Sequence, residues 1–162
     1  MIREMLPTDG PRILDIYNMG LESRNATFET TVPLWSDWDK NHLKHSRFVW
    51  DADGVVIGWV ALSPVSARVM YQGVVEVSIY LDTSCVQKGI GSLLMNHVIQ
   101  SSENHGIWTL YSSVFPENEG TLKLHDKFNF RCIGYREKIA KLDGVWRDTL
   151  LLERRSSVVG KD

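Results

Sequence analysis

Apolar and polar positions divide the chain into short strands and amphipathic helices. Ile2 to Met5 alternates apolar with charged residues, as in an edge or half-buried strand, and Thr8 predicts the cap of a helix with Pro11 near its start and Ile13, Ile16 and Tyr17 on one face. Asn25 to Glu29 has no helical period, whereas Pro33 to Lys44, carrying Leu34, Trp38 and Leu43, fits a looser helix introduced by Thr31. The β-branched and aromatic runs Arg47 to Asp51 and Val55 to Leu62 flank Asp53-Gly54, a dipeptide that tolerates the positive φ of a tight hairpin, and Ser63-Pro64 ends the second run. Val74 to Leu81 reads as a strand with Val75, Val77, Ile79 and Leu81 on one face and Glu76, Ser78 and Tyr80 on the other.

Gly89-Ile90-Gly91 then opens a helix in which Ile90, Leu94 and Val98 are four apart, ending near Gly106. Trp108 to Val114 predicts a strand stopped by Pro116. Asn118 caps a helix to about Phe128, and strands follow around Ile133 to Lys138 and Asp148 to Leu152. This order predicts an α/β (α+β) chain with a mixed sheet and helices on its faces. No repeat, low-complexity segment or linker interrupts it, so residues 1–155 read as one domain and 156–162 as a fraying tail.

Composition changes this picture little. At 162 residues, 43% hydrophobic and 23% charged, the sequence is long enough for one buried core and lies outside the disordered and repeat classes. A formal charge of −2 supplies no broad basic surface, so nucleic acid is not expected as a partner. The start, Met-Ile-Arg-Glu-Met, lacks a signal peptide's apolar stretch, Cys85 and Cys132 make no disulfide framework, and no uncharged run reaches the ~18 residues of a membrane span. The expectation is a cytoplasmic protein with no membrane partner.

Several residues carry potential chemistry. Gln87, Lys88, Gly89, Ile90, Gly91 and Ser92 lie between a strand and a helix, where successive backbone N–H groups and the helix dipole suit a pyrophosphate; alone, such glycines are more often just a turn. On a wheel at ~100° per residue, Asn118, Thr121 and His125 fall on the face of their helix that should meet the sheet. A cap, a back-bonded threonine and a satisfied core histidine would account for them equally. Glu76 is a lone carboxylate in an apolar strand; it either points to water or borders a cleft as a general base with a raised pKa. His42 and His45 lack a clear third ligand, so no metal is expected.

Taken together, Val74-Val75-Glu76-Val77-Ser78-Ile79-Tyr80-Leu81, Lys88-Gly89-Ile90-Gly91-Ser92-Leu93-Leu94, Asn118 and Leu124-His125-Asp126-Lys127-Phe128 resemble the acetyl-CoA-binding core of the GNAT N-acetyltransferases. Tyr17-Asn18, Ala26-Thr27-Phe28-Glu29, Pro64, Arg68, Tyr71 and Trp146-x-Asp148 are similar to the phosphinothricin and methionine sulfoximine acetyltransferase branch.

The resemblance implies a GNAT fold whose sheet splays after Leu81, with acetyl-CoA as cosubstrate and no metal. It implies strand-like pairing of the pantetheine arm and polarisation of the thioester by backbone N–H groups at Ile79, Tyr80 and Leu81. It makes Glu76 the general base and His125 the partner or acid for the departing thiolate. Gln87, Lys88, Gly89, Ile90, Gly91, Ser92, Asn118 and Thr121 become cofactor-binding residues, and Phe28, Arg68 and Tyr71 substrate-binding residues, with Arg68 gripping an α-carboxylate. A homodimer with the Arg68 and Tyr71 loop near the partner is also implied. Val86 stands where the family has Arg or Gln, Asn129 where Gly is usual, and Ser66 where the branch tends to have a second arginine. Alternative readings are acetylation of peptide N-termini or other amines, or a non-catalytic acetyl-CoA-sensing module.

Overall fold

Asp53 and Gly54 take φ values of 52° and 88°, the backbone of a two-residue hairpin, and join β2 (Phe48–Ala52) to β3 (Val55–Pro64). Asp143 and Gly144, at 51° and 79°, do the same between β6 (Arg131–Leu142) and β7 (Val145–Arg155). This second hairpin extends well beyond the short strands expected there. With β1 (Ile2–Glu4), β4 (Val74–Leu81) and β5 (Thr109–Val114), the strands form one seven-stranded sheet in the order β1-β2-β3-β4-β5-β7-β6. The computed structural model describes residues 1–85 and 89–162.

Neighbouring strands are antiparallel except β4 and β5, which are parallel. That parallel pairing covers only Val74, Val75 and Glu76 against Thr109, Leu110 and Tyr111. From Val77 to Leu81, β4 keeps β3 as its partner but, among the described residues, has none on its β5 side, so the mixed sheet splays as expected.

Each face of the sheet has its own core. Val75 and Val77 of β4 pack with Leu94, Met95 and Val98 of α3 (Ile90–Asn104), and Leu122, Leu124 and Phe128 of the α4 region (α4, Glu119–Lys127) pack against the same cluster. On the other face, Ile13 and Ile16 of α1 (Gly10–Glu22) and Trp38 of α2 (Trp35–Asn41) cover Val49, Trp59 and Ala61. The alternation along β4 therefore sends Glu76, Ser78 and Tyr80 toward the α1 side, away from the α3 core.

Helix starts depart from expectation. Thr8 does not cap α1 but lies inside a 3₁₀ turn, Pro7–Asp9. Asp9 fastens the entry instead: its Oδ2 accepts from the Leu6 N–H at 2.7 Å, and Arg3 grips both its oxygens at 2.8 and 2.9 Å. Thr31 likewise stands apart from α2, which begins at Trp35 with the Trp35 and Trp38 rings stacked at 5.0 Å. Asn129, at φ 62°, supplies the left-handed residue after α4. Past β7, the Ser156 hydroxyl donates to Glu103 at 2.8 Å and Arg155 donates to the Val159 carbonyl at 2.8 Å.

Candidate active site

Where β4 parts from β5, a cavity of about 630 Å³ opens. Glu76, Val77, Ser78, Ile79 and Tyr80 line it from β4, Ser112, Ser113 and Val114 from β5, and Asn118, Thr121 and His125 from the α4 side. Tyr17, Phe28, Trp38, His42 and Trp59 also line it, as does Thr149 of β7. Leu81 ends β4 as an exposed residue beyond this lining.

Glu76 is half-buried, and that burial alone pushes its carboxyl pKa up. A carboxylate held this way is a better proton acceptor than one in water. Two positions along the same face, Tyr80 stacks on Trp59 at 4.9 Å and meets the Tyr17 ring edge-on at 5.1 Å. Burial, reinforced by nearby negative charge, keeps both phenols protonated well above neutral pH. The packing demands glycine at position 20, where a Cβ would stand 2.5 Å from the Tyr80 ring.

His125 is 2% exposed, and its Nδ1 lies 2.7 Å from the Thr121 carbonyl oxygen. A carbonyl only accepts, so Nδ1 carries the proton and Nε2 is left as a bare acceptor. Burial pushes the imidazole pKa down, which keeps the ring neutral. In its resting state His125 therefore takes a proton at Nε2 rather than giving one.

Asn118 accepts from the Thr121 N–H at 3.3 Å, the cap expected of it, and donates from Nδ2 to the Asn25 carbonyl at 3.0 Å. The second bond ties α4 to the loop that carries Phe28. Phe28 sits edge-on to Phe115 at 4.9 Å, while the Arg147 guanidinium lies 4.1 Å from the centre of the Phe115 ring and donates to the Arg24 carbonyl at 2.9 Å.

At the far end of β4 the chain turns toward the start of α3. Gln87 and Lys88, like Val86, lie outside the described residues. Gly89 has φ 100°, which only glycine adopts without strain, directly before the fifteen residues of α3. Ile90 is buried in the α3 core, Gly91 lies beside Leu81 and Leu124, and the Ser92 hydroxyl accepts from Lys127 at 3.0 Å. Buried Asp82 anchors the approach: it pairs with Arg12 and accepts from the Ser84 N–H at 2.8 Å. A left-handed glycine feeding a long helix, next to an unpaired strand edge, suits a nucleotide pyrophosphate followed by an extended, amide-bearing arm.

The structure does not bring Arg68 and Tyr71 to this cavity within one chain. Arg68 precedes and Tyr71 ends an exposed turn, Val69–Tyr71, with the Arg68 guanidinium 5.9 Å from the Tyr71 ring centre. Asp148, in the Trp146-x-Asp148 motif, accepts from the Lys138 N–H at 2.7 Å and from the Tyr135 hydroxyl, bonds that hold its carboxyl below the usual range across the irregular part of β6. Sequence reasoning missed the Arg12–Asp82 pair, Arg147 and Thr149; nothing local in the sequence marks partners this distant.

Residues 11–130 match the acetyltransferase (GNAT) family, and the chain belongs to that family as an acetyl-CoA-dependent N-acetyltransferase. It falls in the phosphinothricin and methionine sulfoximine acetyltransferase-like branch. YwnH of Bacillus subtilis (strain 168) is 33% identical over 151 residues, covering 90% of this chain and 92% of that protein. The L-methionine sulfoximine/L-methionine sulfone acetyltransferase of Pseudomonas aeruginosa is 25% identical over 158 residues, covering 94% and 92%. The crystal structure of a phosphinothricin acetyltransferase from Sinorhizobium meliloti in complex with acetyl-CoA superposes with a TM-score of 0.89 at 24% identity, over 100% of this chain and 91% of that one. No helix among the described residues is long and apolar enough to cross a membrane.

Proposed function

We propose that the protein transfers acetyl from acetyl-CoA to the amine of a small amino acid or amino-acid analogue, such as phosphinothricin or methionine sulfoximine, by direct attack in a ternary complex. The observation that carries this reading is Glu76, a half-buried carboxylate of raised pKa lining the cavity where β4 and β5 separate. An amino-acid amine is mostly ammonium at neutral pH, and Glu76 removes its first proton. The freed lone pair forms the C–N bond to the thioester carbon, with backbone N–H groups on the open edge of β4, at Ile79 and Leu81, facing the developing oxyanion. The second amine proton goes to His125 Nε2 and then to the sulfur as the C–S bond breaks, leaving amide and free thiol. No covalent enzyme intermediate is needed. The backbone from Gln87 to Ser92 holds the pyrophosphate, and Asn118 and Thr121 border the arm.

On this reading Arg68 and Tyr71 serve the α-carboxylate from a second copy of the chain in a homodimer. Their turn supports it by exposing Val69, Met70 and Tyr71 to solvent at 78%, 61% and 45%. Free-thiol release from acetyl-CoA against amino acids, phosphinothricin, methionine sulfoximine, methionine sulfone, polyamines and short peptides tests the assignment. Turnover confined to the amino-acid-like compounds is expected. Turnover confined to peptides or polyamines would overturn the acceptor class, and a flat panel would indicate an acetyl-CoA sensor.

A further inference from the structure

Among the described residues, His125 Nε2 and Thr149 Oγ1 are the buried side-chain polar atoms that find no hydrogen-bond partner in the chain, and both residues line the same cavity. Thr149 is 4% exposed and sits on β7 one residue before Leu150, where the ladder between β5 and β7 ends. Valine would fill the same volume, suit the strand equally well and leave no hydroxyl unpaired. The hydroxyl therefore has no structural justification within the chain.

The two orphans are complementary. His125 has committed its Nδ1 proton to Thr121, so Nε2 requires a donor, while a threonine hydroxyl both donates and accepts. They do not bond to each other. A single small group within reach of both atoms, accepting from Thr149 and donating to Nε2, would satisfy both, and the cavity they share is roomy and polar enough to admit it.

We propose that Thr149 and His125 form a subsite for one water molecule that relays a proton from the reacting amine to His125, with Thr149 as its positioning residue. The proposal rests on the acetyl-transfer reading of this cavity. As the amine N–H breaks, its proton joins the water oxygen, and a different water proton passes to Nε2. The water is regenerated and the imidazole becomes imidazolium, which returns its proton to the sulfur when the C–S bond breaks. Thr149 itself gains and loses nothing; it fixes the water by donating to its oxygen.

The test compares Thr149→Val and Thr149→Ser by turnover, by melting temperature and by the ring ¹⁵N signals of His125. Thr149→Val should lower kcat by up to about 100-fold, as loss of positioning does, leave the KM for acetyl-CoA unchanged and melt no lower than the parent protein. Its His125 Nε2 signal should move toward that of an unbonded acceptor nitrogen. Thr149→Ser should restore both the rate and the signal. Unchanged kcat in Thr149→Val, loss of activity that follows a lowered melting temperature, or an Nε2 signal indifferent to Thr149 would each overturn the relay. A parent protein inactive on every amine, with an Nε2 signal that still responds to Thr149, would count instead against the acetyl-transfer reading.

Discussion

Asn118 and Asn25, 93 positions apart, are joined by a 3.0 Å bond from the Asn118 side-chain amide to the Asn25 carbonyl. The same side chain caps α4 through Thr121. Asn118→Asp keeps the cap, adds a charge that the helix N-terminus favours and loses the donor. It should therefore melt close to the parent protein while raising the acceptor KM through a loosened Phe28 loop. Asn118→Ala loses both bonds and should also cost about 1 kcal/mol of stability. Thermal melts and steady-state kinetics on the pair separate the two roles.

Glu76→Gln keeps the shape of the side chain and removes its basicity. Its kcat should fall about 100- to 10,000-fold with acetyl-CoA binding intact. In the parent protein, kcat/KM should fall as pH drops through the raised Glu76 pKa, and the variant should lack that acidic limb. The stability sign runs the other way. A carboxyl whose folded pKa is raised favours the protonated fold, so its ionisation destabilises the protein as pH rises through that pKa. Glu76→Gln should thus melt slightly higher than the parent at neutral pH.

The two glycines before and within α3 should respond differently. Gly89 holds φ 100°, so Gly89→Val forces the backbone away from that turn and should weaken CoA binding at least tenfold by calorimetry. At Gly91 a Cβ would meet Leu124 at 3.5 Å and Leu81 at 3.7 Å, ordinary contacts. Gly91→Ala should therefore leave the fold intact, and any loss of CoA affinity there reports close approach of the ligand to the backbone.

Arg12 and Asp82 form an ion pair with the carboxylate buried and the guanidinium partly exposed. Among the described residues, Arg12→Ala leaves the Asp82 carboxylate with its Ser84 bonds, and it should cost about 1–3 kcal/mol. Hydrogen bonds from Ser84, aided by Arg12, lower the Asp82 pKa. Their contribution is present above the ordinary carboxylate range and lost as pH falls through the depressed value. Acid titration of the melting temperature should show a shallower decline in Arg12→Ala.

Local patterns foretold much of this fold. Alternation in Val74 to Leu81 predicted both faces of β4, Asp53-Gly54 the first hairpin, and Gly89 the start of α3. The Asp143-Gly144 dipeptide carries the same hairpin signal, but β6 is exposed along most of its length and shows no half-buried alternation, so the pattern predicts only short strands there. Thr8 misled because the nearby Asp9 is recruited by Arg3, a contact no local rule contains. In the site, Glu76 stands out as the lone carboxylate of an otherwise apolar strand, and His125 as a polar residue on the helix face that meets the sheet. Thr149 did not, since a threonine in a strand is unremarkable until its depth and its lack of partners are known.

The parting of β4 from β5 also governs how the protein exchanges amide hydrogen. Sheet centres are ordinarily the slowest regions to exchange, yet here amides on the open side of β4 beyond Glu76 lack ladder partners among the described residues, at the middle of a seven-stranded sheet. The free protein should show a band of rapid deuterium uptake between two protected half-sheets, β1 to β4 and β5 to β7, hinged at Val74, Val75 and Glu76. A pantetheine-like arm occupying that gap would act as a missing strand, slowing exchange there and binding the two halves into one cooperative unit.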